Sequence, residues 1–305
     1  MKTSPYWRGV WQLADPRLTL ASLSSLLIGT AAAARAGPIH VGWLVTTSAG
    51  IVALEIAKNA SGEITDFDSG ADGAVTADDR SPFSGGRRVI VDGLLTRSET
   101  RTIAAITYGL GIGTGLVIAG WCEPRILWIG VAGTALAWLY AGFPCRLAYR
   151  GFGELAVAIA YGPLICSGAY LVQRHTLPSG VILLSLPVGL LIAGFLWINE
   201  FPDYKADLAA GKLNLVARLG RPRASHWFAA IIFIAFAIQV VLPACAFPRG
   251  VWFGLVGIPF AWAAARRAIG SPDATGRIIH AQRWTLESFV ILSLGTAAGL
   301  MLTPR

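Results

Sequence analysis

Hydrophobic residues run along this chain in long blocks that polar residues interrupt only briefly. A helix needs about 20 apolar residues to cross the roughly 30 Å hydrocarbon core of a bilayer. Windows of that length predict helices near 18–36, 39–57, 102–121, 125–143, 153–171, 180–199, 225–246, 249–267 and 283–302. The expected fold class is therefore an all-α integral membrane protein, a bundle of nine transmembrane helices.

The composition supports a membrane protein. Hydrophobic residues make up 54% of the 305 residues and charged residues only 14%, whereas about a quarter of a soluble domain is charged. The N-terminal stretch "MKTSPYWRGVWQLADPR" places Trp, Asp and Pro where a signal peptide would have its apolar core. We therefore expect the first helix to be retained. The four cysteines lack the paired spacing of a metal or redox site.

The basic residues indicate how the helices are oriented. If the N-terminus is cytoplasmic, the loops on that side, which include Lys58, hold twenty of the 25 Lys and Arg residues. Cytoplasmic loops of membrane proteins carry such an excess, so the net charge of +8 is attributed to topology rather than to nucleic-acid binding. The expected location is a multi-pass cytoplasmic-membrane protein with its C-terminus on the opposite side. The bilayer is the expected environment, and the sequence indicates no protein partner.

Two connections on the cytoplasmic side are much longer than the others. Residues 58–101 and 200–224 together hold eleven of the 17 acidic residues. Long connections in compact proteins are more often functional than incidental. We therefore expect one domain, residues 1–305, in which these two segments form a cytoplasmic helix-loop cap over the bundle.

The second of these segments reads "WINEFPDYKADLAAGKLNLVARLG". Asn199, Asp203 and Asp207 are four residues apart, so a helix continuing out of the membrane places them on one face, about 5–6 Å apart. Carboxylates this close repel each other, so a positive charge is expected between them. Oxygen ligands of this kind suit Mg²⁺ completed by water and phosphate oxygens. Pro202 is expected to bend or restart the helix.

The first segment, "KNASGEITDFDSGADG", has the same design. Glu55, Asn59, Glu63 and Asp66 follow each other in steps of four, four and three, which aligns them on a helix, and Asp72 follows after a turn. A single acidic loop is more often a solvated surface that aids solubility. Two such segments, on one side of the membrane and with helical spacing, favour a shared metal site.

Basic residues lie close to both acidic segments. The stretch "SPFSGGRRV" joins a glycine pair, whose amides can bind an anion, to Arg87 and Arg88. The stretch "AGKLNLVARLG" adds Lys212 and Arg218. Acids that hold a metal, flanked by cations, are typical of a site for a metal-bound diphosphate. The alternative is that the arginines are topology anchors.

Two further patterns have mainly structural interpretations. In "YGLGIGTGLVIAG", Gly109/Gly113 and Gly111/Gly115 are four residues apart, which predicts close helix packing rather than a dinucleotide-binding turn. Glu287 falls inside the last predicted helix, and we expect it to pair with a neighbouring arginine.

These residues resemble the UbiA superfamily of intramembrane prenyltransferases, and more closely its MenA-like branch, which prenylates 1,4-dihydroxy-2-naphthoate. The resemblance spans most of the chain and rests on four stretches: "DFDSGAD", "SPFSGGRRV", "FPCRLAYRGFGELAVAIAYGPLICSGAYLVQ" and "NEFPDYKADLAAGKLNLVARLG". It implies nine transmembrane helices around a central cavity, capped on the cytoplasmic side.

The resemblance also implies roles for individual residues. Asp66, Asp72, Asp203 and Asp207 match the catalytic aspartates that hold Mg²⁺ and the prenyl diphosphate, and Asn199 matches the leading asparagine of the second motif. The family usually has Asn-Asp where this chain has Gly62-Glu63. Glu63 can still ligate metal, and the amide that Gly62 lacks is either supplied by Asn59, one turn earlier, or absent. Asp68 is an additional acid with no counterpart role.

The predicted activity is Mg²⁺-dependent transfer of a polyprenyl group from prenyl diphosphate to an aromatic or quinone-precursor acceptor. The resemblance favours a dihydroxynaphthoate-like acceptor, as in menaquinone biosynthesis. Arg87, Arg88, Lys212 and Arg218 are the predicted diphosphate ligands, and Tyr149 is an aromatic substrate contact near the cytoplasmic end. The alternatives are a membrane terpene cyclase and, from another class, a cation transporter. Transport predicts acids within the spans, whereas most acids here lie just outside them.

Overall fold

The computed structural model describes residues 4–303, except for the side chain of Leu18. Within these residues the chain folds entirely into helices and loops. The α-helices are α1 (Pro5–Ala14), α2 (Pro16–Ala36), α3 (Val41–Asp68), α4 (Ala71–Ala74), α5 (Arg97–Trp121), α6 (Ile126–Ala141), α7 (Gly153–Ile159), α8 (Ile165–Arg174), α9 (Ser179–Ala209), α10 (Leu215–Leu219), α11 (Arg221–Val241), α12 (Ile258–Gly270) and α13 (Thr275–Leu302). A π-helical turn, Ala160–Leu164, joins α7 to α8. Short 3₁₀ segments are Ala77–Asp79, Leu147–Tyr149, Leu242–Cys245 and Arg249–Gly257.

Among the described residues, seven helical segments are long and apolar enough to cross a membrane. They are Thr19–Ala36, Val41–Asp68, Arg97–Trp121, Gly153–Arg174, Ser179–Ala209, Arg221–Cys245 and Thr275–Leu302. The other two predicted windows are also helical but differ in form. Helix α6 has only 16 residues, about 24 Å at 1.5 Å per residue, and the window at 249–267 begins as a 3₁₀ segment before α12. An all-helical membrane protein is thus confirmed, and the count of nine spans stays a prediction.

Helix α9 forms the centre of the bundle. It is 31 residues long and packs against α2, α7, α11 and α13. Its Phe195 lies edge-on to Phe289 of α13, and both side chains are buried. Where α9 crosses the π-helical turn, Gly189 and Gly162 bring the two backbones together, so that a side chain at either position would meet backbone atoms. The core therefore surrounds the helix that carries the second acidic segment.

Both acidic segments continue as helices beyond their apolar stretches, as the spacing predicts. Helix α3 extends to Asp68 and α9 to Ala209. Pro202 lies inside α9 without interrupting it, so the helix does not restart there, and the alternative of a bend stays a prediction. A proline removes one backbone hydrogen bond, and the many buried contacts of α9 compensate for that loss.

The glycine cluster of α5 contributes less packing than its spacing suggests. Only Gly111 is a close contact, where an added Cβ would lie 2.6 Å from Cγ of Leu54 on α3. An added Cβ at Gly109, Gly113 or Gly115 would meet nothing within 4 Å among the described residues. The expected packing through two glycine pairs is therefore wrong for three of the four positions. The spacing places pairs of glycines on one face but does not determine which face meets a helix.

Candidate functional site

The two acidic segments meet at a polar cavity of about 410 Å³ near the ends of α3 and α9. Helix α1 and the loop at residues 81–87 close its outer side. The predicted site residues that line it are Asn59, Glu63, Asp66, Asp72, Arg87, Tyr149, Asn199, Asp203, Asp207 and Lys212. Residues that are more than 100 positions apart in the sequence thus share one cavity.

Lys212 provides the positive charge that the acidic spacing requires. Its Nζ lies 3.4 Å from Oδ2 of Asp66 and 3.6 Å from Oδ1 of Asp207, so it bridges the first and second acidic segments. Burial lowers the pKa of the Lys212 ammonium, but the carboxylates of Asp207 and Asp66 outweigh burial and hold the pKa well above its ordinary value. Lys212 therefore remains a cation at the centre of the cavity.

Tyr149 fixes the other oxygen of Asp66. Its hydroxyl donates to Oδ1 of Asp66 at 2.6 Å and lies 2.8 Å from Oγ of Ser69. Burial, followed by the Asp66 carboxylate, raises the pKa of Tyr149 above its ordinary value, so the phenol keeps its proton. The Asp66 carboxylate is thus held in one orientation by Tyr149 on one side and Lys212 on the other.

Asp72 projects from the short helix α4 toward the glycine loop. Burial, followed by the carboxylates of Asp66 and Glu63, raises the pKa of Asp72 to about 8. Gly85 and Gly86 both have positive φ, at 91° and 72°, and a Cβ at Gly86 would collide with the Asp72 carboxylate. The glycine loop therefore approaches Asp72 more closely than any other residue type would allow.

Three predicted residues line the cavity and also form hydrogen bonds to neighbouring segments of the chain. Oε1 of Glu63 accepts a hydrogen bond from the amide of Ile90 at 3.1 Å. Nδ2 of Asn59 donates to the carbonyl of Leu13 in α1 at 2.9 Å. Oδ2 of Asp207 accepts from the side chain of Asn214, the N-cap of α10, at 2.7 Å. Each of these residues still presents its side chain to the cavity.

The four predicted cations divide into two groups. Arg87 lines the cavity and pairs with Asp15 at 3.5 Å, whereas Lys212 bridges the acids. Arg88 lies outside the lining, because its guanidinium pairs with Asp92 and donates to the carbonyl of Asp72. Arg218 is likewise outside and donates to the carbonyls of Leu213 and Arg150. In this structure Arg88 and Arg218 therefore support the backbone around the cavity.

Two acids outside the cavity have structural partners. Asp68 accepts from Nε and Nη2 of Arg97 at 2.8 and 2.6 Å, and both side chains are exposed. Glu287 pairs with Arg283 at 2.7 Å, as expected from the sequence. Neither acid belongs to the site.

The donor atoms of the cavity suit a hard divalent cation. Buried Oδ2 of Asp72, Oδ1 of Asn199 and Oδ1 of Asp203 have no hydrogen-bond partner within the described chain. Across residues 4–303, no three acidic, histidine or cysteine side chains converge into a complete ligand set for one ion. Mg²⁺ is commonly held by one or two carboxylates, with phosphate oxygens and water as the remaining ligands. The residues therefore fit a magnesium–diphosphate complex better than a closed protein cage.

A second, apolar cavity of about 890 Å³ continues inward between α3, α5, α6 and the α7–α8 segment. Lys58, Tyr140, Val157 and Tyr161 line both cavities and form the junction between them. In the sequence, Lys58 contributes only to the charge asymmetry, and Glu200, which also lines the polar cavity, has no predicted role. Lys58 precedes Asn59 and Glu200 follows Asn199, and this adjacency is the sequence signal that both residues lie near the site.

Fold and site together define a class of protein: helical membrane proteins in which a cavity of carboxylates and cations opens into an apolar cavity. The chain belongs to the UbiA prenyltransferase family, whose sequence model matches residues 22–285. It is thus an enzyme that transfers prenyl groups.

Relatives and solved structures agree with this assignment. The 1,4-dihydroxy-2-naphthoate octaprenyltransferase of Mycobacterium tuberculosis is 29% identical over 94% of each chain. The Bacillus subtilis protein of the same name is 27% identical over 78% of this chain and 75% of its own. A UbiA homolog from Aeropyrum pernix shares the fold with a TM-score of 0.66 at 18% identity, covering 95% of this chain and 97% of that one. A homolog from Archaeoglobus fulgidus bound to GPP and Mg²⁺ has a TM-score of 0.63 at 15% identity, covering 93% and 99%.

Proposed function

We propose that this protein transfers a polyprenyl group from a magnesium-bound prenyl diphosphate to a dihydroxynaphthoate-like acceptor, a step of menaquinone biosynthesis. The observation that carries the proposal is the Lys212 bridge between Asp66 and Asp207, which joins the two acidic segments over one cavity. The named relatives supply the acceptor class.

The acids divide the work of holding the ion and its diphosphate. We assign Asp66, Asp72, Asp203 and Asp207 as the carboxylate ligands, with Asn199 and Glu63 as further oxygen donors. When bound, magnesium offsets the negative charge that develops on the diphosphate as the allylic carbon–oxygen bond breaks.

The cations of the cavity bind the diphosphate itself. Lys212 and Arg87 present N–H donors to the polar cavity, and the positive-φ glycine loop presents backbone amides beside them. Fixed donors that face the leaving group stabilise its charge without reorganising, which lowers the barrier to ionisation. Tyr149 holds Asp66 in place for this arrangement.

The apolar cavity suits the prenyl chain. Most of its lining residues are apolar, and α5 and α6 expose apolar side chains outside it, such as Leu110 and Trp128, as expected in contact with lipid. An allylic cation must be kept from water until an aromatic carbon attacks it, and the apolar lining of this cavity disfavours water on that side of the junction.

The same proposal includes the membrane arrangement. Helix α6 and the Arg249–Gly270 segment complete nine spans, because nine 3₁₀ residues and thirteen α residues extend about 38 Å. The whole chain is one domain, and residues 58–101 and 200–224 form the cytoplasmic cap. Helix α2 runs from the polar cavity to Arg35, which donates to the carbonyls of Leu300 and Thr303, so the described chain ends opposite the cavity. Lys2 and Arg305, which enter the charge count, lie outside the described residues.

The test is an assay with purified protein, Mg²⁺, a panel of prenyl diphosphates and a panel of aromatic acceptors, with product masses as the readout. Asp66→Asn and Asp203→Asn should each lower turnover at least about a hundredfold, since each removes charge stabilisation where charge develops. Asp68→Asn is the matched control, because Asp68 lies two residues from Asp66 but pairs outside the cavity with Arg97.

The outcomes separate the competing functions. Retained turnover in both cavity variants would remove the metal assignment. A hydrocarbon product that forms without acceptor would identify a terpene cyclase. Intact prenyl diphosphate under every condition, together with ion flux through the protein in vesicles, would identify a transporter.

A further inference from the structure

The junction between the two cavities determines where an acceptor can react. With the diphosphate in the polar cavity and the prenyl chain in the apolar cavity, the allylic carbon between them lies at the junction. A reacting acceptor carbon must approach within about 3–3.5 Å of it. The residues that line both cavities, which include Lys58, Tyr140 and Tyr161, therefore also face the acceptor.

A chain of hydrogen bonds organises this junction. Nζ of Lys58 donates to the hydroxyl of Tyr161 at 3.3 Å, and that hydroxyl donates to Oε1 of Glu55 at 3.1 Å. Oγ of Ser22 donates to Oε2 of Glu55 at 3.0 Å. Glu55 and Ser22 are 5% and 2% exposed, so the far end of the chain is buried, where both residues line the apolar cavity. The Lys58 ammonium lies at the open end, 5.8 Å from the centre of the Tyr140 ring.

In residues 4–303, Lys58 contacts no carboxylate directly and is linked to Glu55 only through the Tyr161 hydroxyl. Within the described chain its ammonium forms no ion pair, and it is the one basic side chain among the residues that line the apolar cavity. Taking an ammonium out of water is costly unless an anion compensates for it. Lys212 and Arg87 are the cations proposed to bind the diphosphate, and both line the polar cavity but not the apolar one. Glu55 offsets the Lys58 charge from behind Tyr161, and within the described chain the ammonium uses one of its three N–H donors. The other donors are therefore available to a second anion at the junction.

We propose that Lys58 binds an ionised oxygen, carboxylate or phenolate, of the aromatic acceptor and that the Tyr161–Glu55–Ser22 chain holds Lys58 in place. This inference rests on the proposed function and adds a specificity determinant to it. The rings of Tyr140 and Tyr161 are both within 6 Å of the ammonium, so an acceptor bound to Lys58 has aromatic side chains beside it. Lys58 touches the substrate, whereas Tyr161 and Glu55 are positioning residues.

The experiment measures KM separately for the two substrates. Lys58→Met should raise the KM for an acidic acceptor at least about tenfold, because a hydrogen bond to a charged group is lost, and leave the KM for prenyl diphosphate within about twofold. Lys58→Arg, which keeps the charge, should recover most of the acceptor affinity. Lys205→Met is the matched control, since Lys205 is exposed and lines neither cavity.

Acceptor pairs identify the group that Lys58 binds. A dihydroxynaphthoate is compared with the same diol lacking the carboxylate. A preference for the acid that disappears in Lys58→Met identifies the carboxylate, and an equal loss on both acceptors identifies a phenolate oxygen. Tyr161→Phe should raise the acceptor KM with little change in the prenyl diphosphate KM, since the phenol contacts Lys58 and Glu55 rather than the groups assigned to the diphosphate.

Three results would overturn the proposal. An unchanged acceptor KM in Lys58→Met removes Lys58 from the acceptor site. A change confined to the prenyl diphosphate KM reassigns Lys58 to the leaving group. If Lys58→Arg is as impaired as Lys58→Met while both elute as the wild type does in detergent, the charge is not what binds. Each of these leaves the proposed function intact, whereas absence of prenyl transfer by the wild type to any acceptor overturns both.

Discussion

Gly86 faces the Asp72 carboxylate with no room for a side chain between them. Its φ of 72° lies in the left-handed region, and an added Cβ would overlap the carboxylate. At Gly93, φ is similar at 67°, yet an added Cβ there would meet nothing within 4 Å. A side chain at either glycine would therefore cost about 1–2 kcal/mol in backbone strain. Only at Gly86 would it also collide with a residue of the site.

This difference gives a prediction for the glycine loop. Gly86→Ala should lower prenyl transfer at least about tenfold and weaken the apparent affinity for Mg²⁺, because the methyl group displaces Asp72. Gly93→Ala should carry the same backbone strain with nearly wild-type activity. Initial rates over a range of Mg²⁺ concentrations provide the measurement. Equal losses in the two variants would show that backbone strain alone is responsible.

Glu123 forms an ionic cluster at the loop between α5 and α6. Its carboxylate accepts from Nε and Nη2 of Arg125 at 2.7 and 2.9 Å and lies 3.2 Å from Nδ1 of His175. The hydrogen bonds from Arg125 lower the pKa of Glu123 to about 2. A carboxyl group with a lowered folded-state pKa stabilises the fold above its unfolded pKa and loses that contribution as pH falls toward the folded value.

We therefore expect Glu123→Gln to lower the free energy of unfolding by about 1 kcal/mol at pH 7, a value that allows for the exposure of Arg125 and His175. The difference between variant and wild type should shrink as pH falls from about 4.5 toward 2. Thermal midpoints in detergent across that range provide the measurement. A difference that does not change with pH would contradict the ionic explanation.

At the scale of elements, α9 and the π-helical turn depend on the absence of side chains. A Cβ at Gly189 would lie 2.6 Å from the carbonyl oxygen of Ala158 and 2.9 Å from Cα of Gly162. Backbone atoms cannot rotate away as a side chain can. Helix α9 also carries Asn199, Asp203 and Asp207, so its position relative to α7 sets the geometry of the polar cavity.

Gly189→Ala should therefore lower the thermal midpoint of the protein in detergent by several degrees, since overpacking costs about 1–3 kcal/mol. Gly113→Ala on α5 is the matched control, because its Cβ would meet nothing within 4 Å and alanine favours a helix. We expect the control to equal or slightly exceed the wild type. If both variants were equally stable, the α9 contact would not be close in solution.

Helical spacing predicts where a helix extends but not which of its faces is packed. The steps of three and four among Glu63, Asp66, Asp203 and Asp207 correctly indicate helices that extend beyond the apolar stretches. The same spacing among the α5 glycines does not identify a packed face, because a helix has several faces and its neighbours decide which one is buried. Pro202 likewise remains within α9, because tertiary contacts outweigh one missing hydrogen bond.

For the whole molecule, the apolar cavity connects the site to the lipid-facing surface. Gly130 of α6 lines this cavity, and an added Cβ there meets no atom of the described residues within 4 Å. Gly113 has similar free space but does not line the cavity. A large residue at Gly130 would therefore occupy the volume proposed for the prenyl chain.

Gly130→Phe should disfavour long prenyl diphosphates. We expect the ratio of kcat/KM for a short donor to that for a long donor to rise at least about tenfold, because the ring removes space only the longer chain needs. Gly113→Phe should leave that ratio unchanged. Competition between geranyl and longer prenyl diphosphates, read by product mass, provides the measurement. A lower rate with all donors and an unchanged ratio would place the chain elsewhere.

The sequence by itself determined the membrane class, the helical ends that carry the acids, and the charge asymmetry, because each depends on composition or on helical periodicity. Only the tertiary structure decided which charged groups face the site. Arg87 and Arg88 are neighbours in sequence, yet Arg87 lines the cavity while Arg88, at a φ of 54°, turns toward Asp92. From the sequence, Lys58 is one more loop cation. The tertiary structure brings it, on α3, to the hydroxyl of Tyr161 in the π-helical turn. Packing between distant segments decides where a loop side chain points and which residue it meets across a helix interface. Neither property follows a periodic pattern in the sequence.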